Sequence, residues 1–87
     1  MISILTSKKY DKSFAKKDRF VQEKAIERIK IFQQDPFNYL LDNHKLHGEL
    51  GDERSFNVTG DFRITFYHIN DNTVIFTDIG THTELYG

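Results

Sequence analysis

The apolar residues of this 87-residue chain change their spacing near position 46. Before that point they recur at intervals of three, four and seven residues, which is the period of an amphipathic α-helix. After it they alternate with polar residues, as in a strand that buries one face. This order predicts an α+β fold, in which a small antiparallel sheet carries two to three helices on one of its faces.

The apolar positions of the first half lie on one side of the predicted helices. They are Tyr10, Phe14, Val21, Ala25, Ile29 and Phe32. A polar interval at residues 16–19 interrupts this series, and Asp18 is of a residue type that caps helix N-termini. We therefore predict a hairpin of two helices that turns near Asp18, with a single bent helix as the alternative.

The residues at both ends of the helical region also predict secondary structure. The run from Ile2 to Leu5 predicts a first strand. The pair Asp35-Pro36 ends the second helix, because Pro disfavours helical geometry in the residue before it, and starts a third, short helix with Asp35 as its cap. The buried side of this helix is expected to carry Phe37, Leu40 and Leu41.

Three runs of alternating residues predict an antiparallel meander in the second half. Its turns are expected at residues 59–61 and 70–72, its third run at 73–79, and Gly48 and Gly51 break the chain ahead of it. The face toward the helices is expected to carry Phe56, Val58, Ile64, Phe66, Val74 and Phe76. The open face is expected to carry Ser55, Asn57, Arg63, Thr65, Tyr67 and Thr77. A register slip of one residue would exchange the two faces.

Composition narrows the class of protein. The absence of Cys excludes disulfide scaffolds, thiolate metal sites and cysteine nucleophiles. No basic signal region opens the chain and no apolar run exceeds four residues, so we expect a cytoplasmic, single-domain protein over residues 1–87 with no membrane contact. Residues 1–45 hold ten Lys and Arg against six Asp and Glu, whereas residues 46–87 hold two against seven. Any contact with RNA must therefore involve a local basic patch.

The second half also carries a recognisable pattern. It runs from Leu46-x-Gly48 through residues 54–67 to the ending Gly-Thr-His-x-x-Leu-Tyr-Gly at 80–87, with thirteen residues from His44 to Asn57. This pattern resembles the RelE/ParE superfamily of bacterial toxins and, within it, the YafQ-like branch of ribosome-dependent messenger-RNA endonucleases. The order of strand, helices, meander and short tail agrees with that resemblance over nearly the whole chain.

The resemblance implies a set of site residues. The catalytic residues would be His82, His44 and Asp61. The residues that contact the substrate or its phosphate would be Arg63, Asn57, Arg54, Phe62 and Tyr86. Two positions depart from the family pattern, because Asn57 stands where a second histidine is found and Asp78 where a basic residue is common. The implied reaction needs neither metal nor cofactor.

The residue types suit metal-free RNA cleavage. That reaction needs a base for the ribose 2′-hydroxyl, an acid for the departing 5′-oxygen and cationic donors for the phosphate, and it leaves a 2′,3′-cyclic phosphate. Histidine serves as either acid or base, so the roles of His82 and His44 stay open here. Plainer interpretations are a solvated His82, an Arg63 paired with a carboxylate and an Asp61 with a local turn role. The spacing His44-x-x-His47 is a weak zinc signal.

The sequence therefore predicts a type II toxin that cleaves messenger RNA on the ribosome and stops translation. Its expected partners are the ribosome, messenger RNA and a cognate antitoxin that folds over the helices or the open sheet face. One alternative is a ParE-like toxin that binds gyrase without nuclease activity, and another is a catalytically decayed antitoxin-binding partner.

Overall fold

A computed structural model describes residues 1–46 and 52–86 of the chain. Its elements are β1 (Ser3–Thr6), α1 (Lys8–Lys16), α2 (Arg19–Gln34), a single 3₁₀ turn (Tyr39–Leu41), β2 (His44–Lys45), β3 (Arg54–Thr59), β4 (Phe62–Asn70), β5 (Thr73–Thr81) and α3 (His82–Tyr86). The strands form one five-stranded sheet in the order β1-β5-β4-β3-β2. The predicted α+β class is confirmed, and the predicted chain breaks at Gly48 and Gly51 lie outside the described residues.

Two capped helices form the predicted hairpin. The Ser7 hydroxyl accepts a hydrogen bond of 3.0 Å from the Tyr10 amide at the start of α1. The Asp18 carboxylate accepts one of 2.9 Å from the Val21 amide at the start of α2. Each cap satisfies an amide that has no partner inside its helix, so the chain stops and restarts a helix between residues 16 and 19.

The predicted third helix is wrong, since only the 3₁₀ turn forms there. The Asp35 carboxylate accepts from the Phe37 amide at 3.2 Å and the Asn38 side chain accepts from the Leu40 amide at 3.0 Å. These local side-chain bonds compete with helical ones. Asp42, with a φ of 46°, then ends the turn in the left-handed region.

The buried side expected for that helix is correct at one residue of three. Leu41 is fully buried, whereas Phe37 is 64% exposed and Leu40 is 41% exposed. The single turn directs Leu41 toward the core and leaves Leu40 on the surface, and Phe37 lies ahead of the turn.

The sheet is mixed rather than wholly antiparallel. Strands β3 to β5 pair antiparallel as expected, with turns at Gly60-Asp61 and Asp71-Asn72. The short strand β2, which was not predicted, pairs antiparallel with β3. However, β1 pairs parallel with β5, so that Ile4 lies beside Val74. The helical hairpin and the strands β2 to β4 all lie between β1 and β5 in the sequence, and parallel pairing requires a long connection of this kind.

The aromatic core lies between α2 and the meander. The fully buried Phe32 ring stacks on Phe56 with centroids 4.8 Å apart and meets Phe66 edge-on at 5.1 Å. The face predicted to contact the helices is confirmed, because all six of its members are at most 1% exposed. These are Phe56, Val58, Ile64, Phe66, Val74 and Phe76.

The opposite face is less open than predicted. Ser55 and Thr65 on that face are 0% and 4% exposed. Leu85 and Tyr86 of α3 line a cavity over it together with Thr65, Tyr67 and Thr77. The end of the chain therefore covers part of the polar sheet face. In the described ranges, no helix is long and apolar enough to cross a membrane.

Candidate functional site

The residues after β5 fold into the short helix α3 rather than a loose tail. The Thr81 hydroxyl accepts from the Glu84 amide at 3.2 Å, and the Glu84 carboxylate accepts from the Thr81 amide at 2.8 Å. This reciprocal pair is a capping box, which fixes the first turn of a helix. Its sequence signal, Thr-x-x-Glu at 81–84, was available and was missed. It makes His82 the first residue of a helix with a defined direction.

Two neighbours position His82. The Asp61 carboxylate, in the turn between β3 and β4, accepts a hydrogen bond of 3.3 Å from the His82 backbone amide. One helical turn further on, Tyr86 meets the His82 ring edge-on, with centroids 4.6 Å apart and planes at 73°. Asp61 therefore holds the backbone of the histidine, and Tyr86 packs against its imidazole.

His44 lies on the edge strand β2, at its start. Its Nδ1 lies 2.7 Å from the carbonyl oxygen of Asp42. A carbonyl oxygen only accepts hydrogen bonds, so Nδ1 must carry the proton and, in the neutral ring, Nε2 carries the lone pair. The Asp42 carboxylate lies 3.9 Å from the same Nδ1. The backbone near Asp42 thus selects one tautomer of the histidine.

Arg63 lies on β4, where its cross-strand neighbour is Asn57 of β3. A guanidinium N–H of Arg63 donates to the Asn57 side-chain oxygen. An amide orients the guanidinium without cancelling its charge, unlike a carboxylate. The plainer interpretation, in which Arg63 pairs with a carboxylate, is not what the described residues form.

One cleft of about 430 Å³ brings these residues together. Its lining consists of Asp42, His44, Leu46, Arg63, His82 and Tyr86. Four of the predicted site residues are therefore neighbours in space, although His44 and Tyr86 are separated by 42 positions in the sequence. The cleft combines two imidazoles, one permanent cation, one carboxylate and one phenol.

The other predicted site residues lie outside this lining. Asn57 and Asp61 instead bond residues that line the cleft: Asn57 accepts from Arg63, and Asp61 accepts from the His82 backbone amide. Arg54 donates to the Asn43 side chain at 2.9 Å, and its guanidinium lies 5.4 Å from the Phe37 ring centroid. Phe62 packs against the hydrophobic core.

A second layer of contacts fastens α3 to the helical hairpin. The Lys17 ammonium, at the end of α1, lies 3.5 Å from the Glu84 carboxylate and 6.0 Å from the Phe62 ring centroid. The Thr81 amide and then the Lys17 charge lower the pKa of Glu84 below its ordinary value. Lys17, Glu84 and Asp42 were not among the predicted site residues.

Metal binding finds little support in the described residues. Across residues 1–46 and 52–86, no group of three or more His, Cys, Asp or Glu side chains could hold an ion. His47, the second histidine of the His-x-x-His spacing, lies outside the described residues.

Solved structures of small bacterial toxins share this fold. YafQ from E. coli strain BL21(DE3) matches it with a TM-score of 0.78 at 19% identity, over 100% of both chains. The E. coli DinJ-YafQ complex matches with a TM-score of 0.72 at 22% identity, again over 100% of both. A YoeB/ParE toxin from Agrobacterium tumefaciens matches with 0.76 at 15% identity, over 93% of this chain and 99% of that one. The fold is therefore that of the RelE-like toxins.

The sequence narrows this class further. Residues 2–87 match the model of a family described as the bacterial toxin of type II toxin-antitoxin system, YafQ. The chain belongs to the YafQ family of type II toxins, which confirms the resemblance inferred from its second half. No curated protein matches the sequence significantly.

Proposed function

We propose that this toxin is an endoribonuclease that cuts messenger RNA on the ribosome, and that the cleft holds the scissile phosphate. The supporting observation is the convergence of His44, Arg63 and His82 on one cavity from three separate elements. Two proton-transfer groups and a cation supply the acid, the base and the phosphate donor that metal-free cleavage uses.

His44 is the general base in this proposal. Its Nδ1 proton is engaged by the Asp42 carbonyl, so the neutral ring offers the Nε2 lone pair to the ribose 2′-hydroxyl. The Asp42 carboxylate, 3.9 Å from Nδ1, lies beside the ring when Nε2 takes that proton. The 2′-oxygen then attacks the adjacent phosphorus, which yields a 2′,3′-cyclic phosphate.

His82 is the general acid. With His44 committed as base, it is the remaining imidazole of the cleft lining, and it donates a proton to the 5′-oxygen as the P–O bond breaks. Its helix and the Tyr86 ring hold the imidazole in place. Arg63 binds the phosphate oxygens, whose negative charge is greatest in the crowded transition state.

Asn57 and Asp61 act as positioning residues. Asn57 orients the Arg63 guanidinium, and Asp61 anchors the His82 backbone. Arg54 and Phe62, for which the resemblance implied substrate contacts, take part in this proposal only as supports, because their side chains engage Asn43, Phe37 and the core.

The partners follow from two surfaces. Exposed basic side chains of α1, at Lys8, Lys12 and Lys16, suit attraction to ribosomal RNA. An apolar groove of about 240 Å³ between α1 and α2, lined by Tyr10, Phe14 and Ile26 among others, suits a cognate antitoxin. One solved YafQ is in complex with DinJ. We place the antitoxin on the helices rather than the sheet, since α3 covers part of the sheet face.

The deciding experiment compares two histidine variants. Purified protein is incubated with messenger RNA, with and without ribosomes, and cuts are mapped by primer extension. We expect cuts only with ribosomes, insensitivity to chelators and a loss on the order of 100-fold or more for His82→Ala. The matched control is His68→Ala, since His68 is exposed on β4 and is not among the cleft-lining residues.

Two outcomes would overturn this proposal. Full cleavage by His82→Ala would remove His82 from the chemistry. Inhibition of DNA supercoiling by the wild-type protein, without RNA cuts, would select the ParE-like alternative instead.

A further inference from the structure

A second cavity lies beside the cleft, over the polar face of the sheet. It measures about 290 Å³ and is here named the lateral pocket. Its lining consists of Lys9, Glu53, Thr65, Tyr67, Thr77, Asp78, Leu85 and Tyr86. Tyr86 lines both cavities, so the lateral pocket adjoins the place where the scissile phosphate would bind.

The hydrogen bonds of the two threonine hydroxyls in the lateral pocket run in one direction, toward Glu53. The Thr77 hydroxyl donates to the Glu53 carboxylate at 3.0 Å. It lies 2.6 Å from the Thr65 hydroxyl, and because the Thr77 proton is already engaged, Thr65 must be the donor of that pair. Both hydroxyl protons are thus used internally. These two threonines therefore offer the cavity only oxygen lone pairs.

Asp78 adds to this acceptor character. One of its oxygens accepts from the Ile79 amide at 2.9 Å, and the other lies 3.6 Å from the Lys9 ammonium. The Lys9 side chain is 75% exposed, whereas that of Asp78 is 16% exposed. An ion pair to such an exposed lysine is weak and easily exchanged for another donor.

A buried polar atom lies between the two cavities. Ser55 pairs across the sheet with His44 of the cleft and with Thr65 of the lateral pocket. It is 0% exposed, and within the described part of the chain its hydroxyl has no hydrogen-bond partner. Ser55 thus belongs to a row of polar residues that runs from the cleft to the lateral pocket, although it lines neither cavity.

We propose that the lateral pocket binds the base of a nucleotide next to the scissile phosphate and selects bases with N–H donors. This inference rests on the proposed nuclease function. Two carboxylates disfavour a phosphate there but accept hydrogen bonds from base amino groups. Tyr67 and Tyr86 supply aromatic surfaces of the kind on which bases stack. Guanine, with adjacent N1–H and amino donors, fits best, and uracil, whose single N–H is flanked by two carbonyls, fits worst.

The test measures nucleotide binding apart from catalysis. Isotope-labelled protein is titrated with GMP and with UMP, and amide shifts of Thr65 and Thr77 are followed by NMR. We expect GMP to bind about tenfold more tightly than UMP. Glu53→Gln keeps an oxygen for Thr77 but removes the charge, and should bring the ratio close to one. Glu23→Gln makes the identical change at an exposed position of α2 and should leave the ratio of the two affinities unchanged.

A cleavage arm separates the two proposals. On ribosomes, the wild type should cut beside amino-bearing bases and the Glu53→Gln variant should lose that preference. Selective GMP binding without any cleavage would support the proposed base-binding pocket and refute the proposed nuclease function. Equal binding of GMP and UMP, shifts confined to other regions, or cleavage with an unchanged base preference in Glu53→Gln would refute the pocket. Should Glu53→Gln fail to fold, Asp78→Asn is measured in the same way.

Discussion

The Lys17 ammonium and the Glu84 carboxylate lie 3.5 Å apart, and this ion pair ties the end of α1 to the helix that carries His82. The Lys17 side chain is only 13% exposed, because it lies against Phe62. Glu84 also accepts the Thr81 amide, so one carboxylate both caps α3 and docks it. The position of the proposed general acid thus depends on a residue that touches no substrate.

This dual role makes the docking of α3 dependent on pH. The pKa of Glu84 is lowered in the folded protein, so its contribution to stability is present above the ordinary carboxyl value of 4.5 and is lost as the pH falls through the lower folded value. We expect the protection factors of the α3 amides, which correct for the intrinsic pH dependence of exchange, to fall over that acidic range. Glu84→Gln should show low protection of these amides at every pH. Wild-type protection of α3 in that variant would show that the carboxylate does not dock the helix.

Replacing His44 is expected to change the shape of the pH–rate profile. A histidine base must be neutral to accept the 2′-hydroxyl proton, so wild-type cleavage on ribosomes should decline at acidic pH. His44→Gln should lose this acidic decline together with a rate factor on the order of 100-fold. Single-turnover cleavage across pH measures both effects. If the decline persists in His44→Gln and disappears in His82→Ala, the two roles are reversed.

The amide at position 57 should matter for substrate affinity. Asn57→Asp places a carboxylate against the Arg63 guanidinium and neutralises the charge offered to phosphate. We expect KM for ribosome-bound messenger RNA to rise by about tenfold with a smaller change in kcat, since one charge-assisted contact contributes ~1.5–3 kcal/mol. Asn72→Asp, in the exposed turn before β5, is the matched control. Unchanged KM in Asn57→Asp would exclude Arg63 from phosphate binding.

The stability of the fold should depend on one central ring. Phe32 is fully buried and contacts Phe56, Phe66 and Phe76. Phe32→Ala should lower the free energy of unfolding by about 3–5 kcal/mol, as loss of a buried aromatic side chain usually does. Phe20→Ala removes a ring that is 60% exposed and should cost within about 0.5 kcal/mol. Urea denaturation of both variants compares them, and equal losses would contradict this description of the core.

Local signals predicted the elements that local interactions build. Asp18 marks the hairpin turn because its carboxylate bonds an amide only three residues away. Alternation assigned Phe56, Ile64 and Phe66 to the buried face because side-chain direction in a strand has a period of two. The predicted third helix was wrong because the Asp35 and Asn38 side chains accept hydrogen bonds from nearby backbone amides, which compete with helical bonds. The spacing of apolar residues gives no sign of these side-chain bonds.

The sequence by itself determined the fold class, the helical hairpin, the meander and the family, since each is written in residue type and spacing over short distances. Tertiary structure alone decided that β1 runs parallel to β5 and that α3 covers part of the polar sheet face. It also decided which predicted site residues line the cleft. His44, Arg63 and His82 meet there, whereas Arg54 donates a hydrogen bond to Asn43. These outcomes depend on packing between strands and helices that are far apart in the sequence, and the spacing of residues along the chain does not determine that packing.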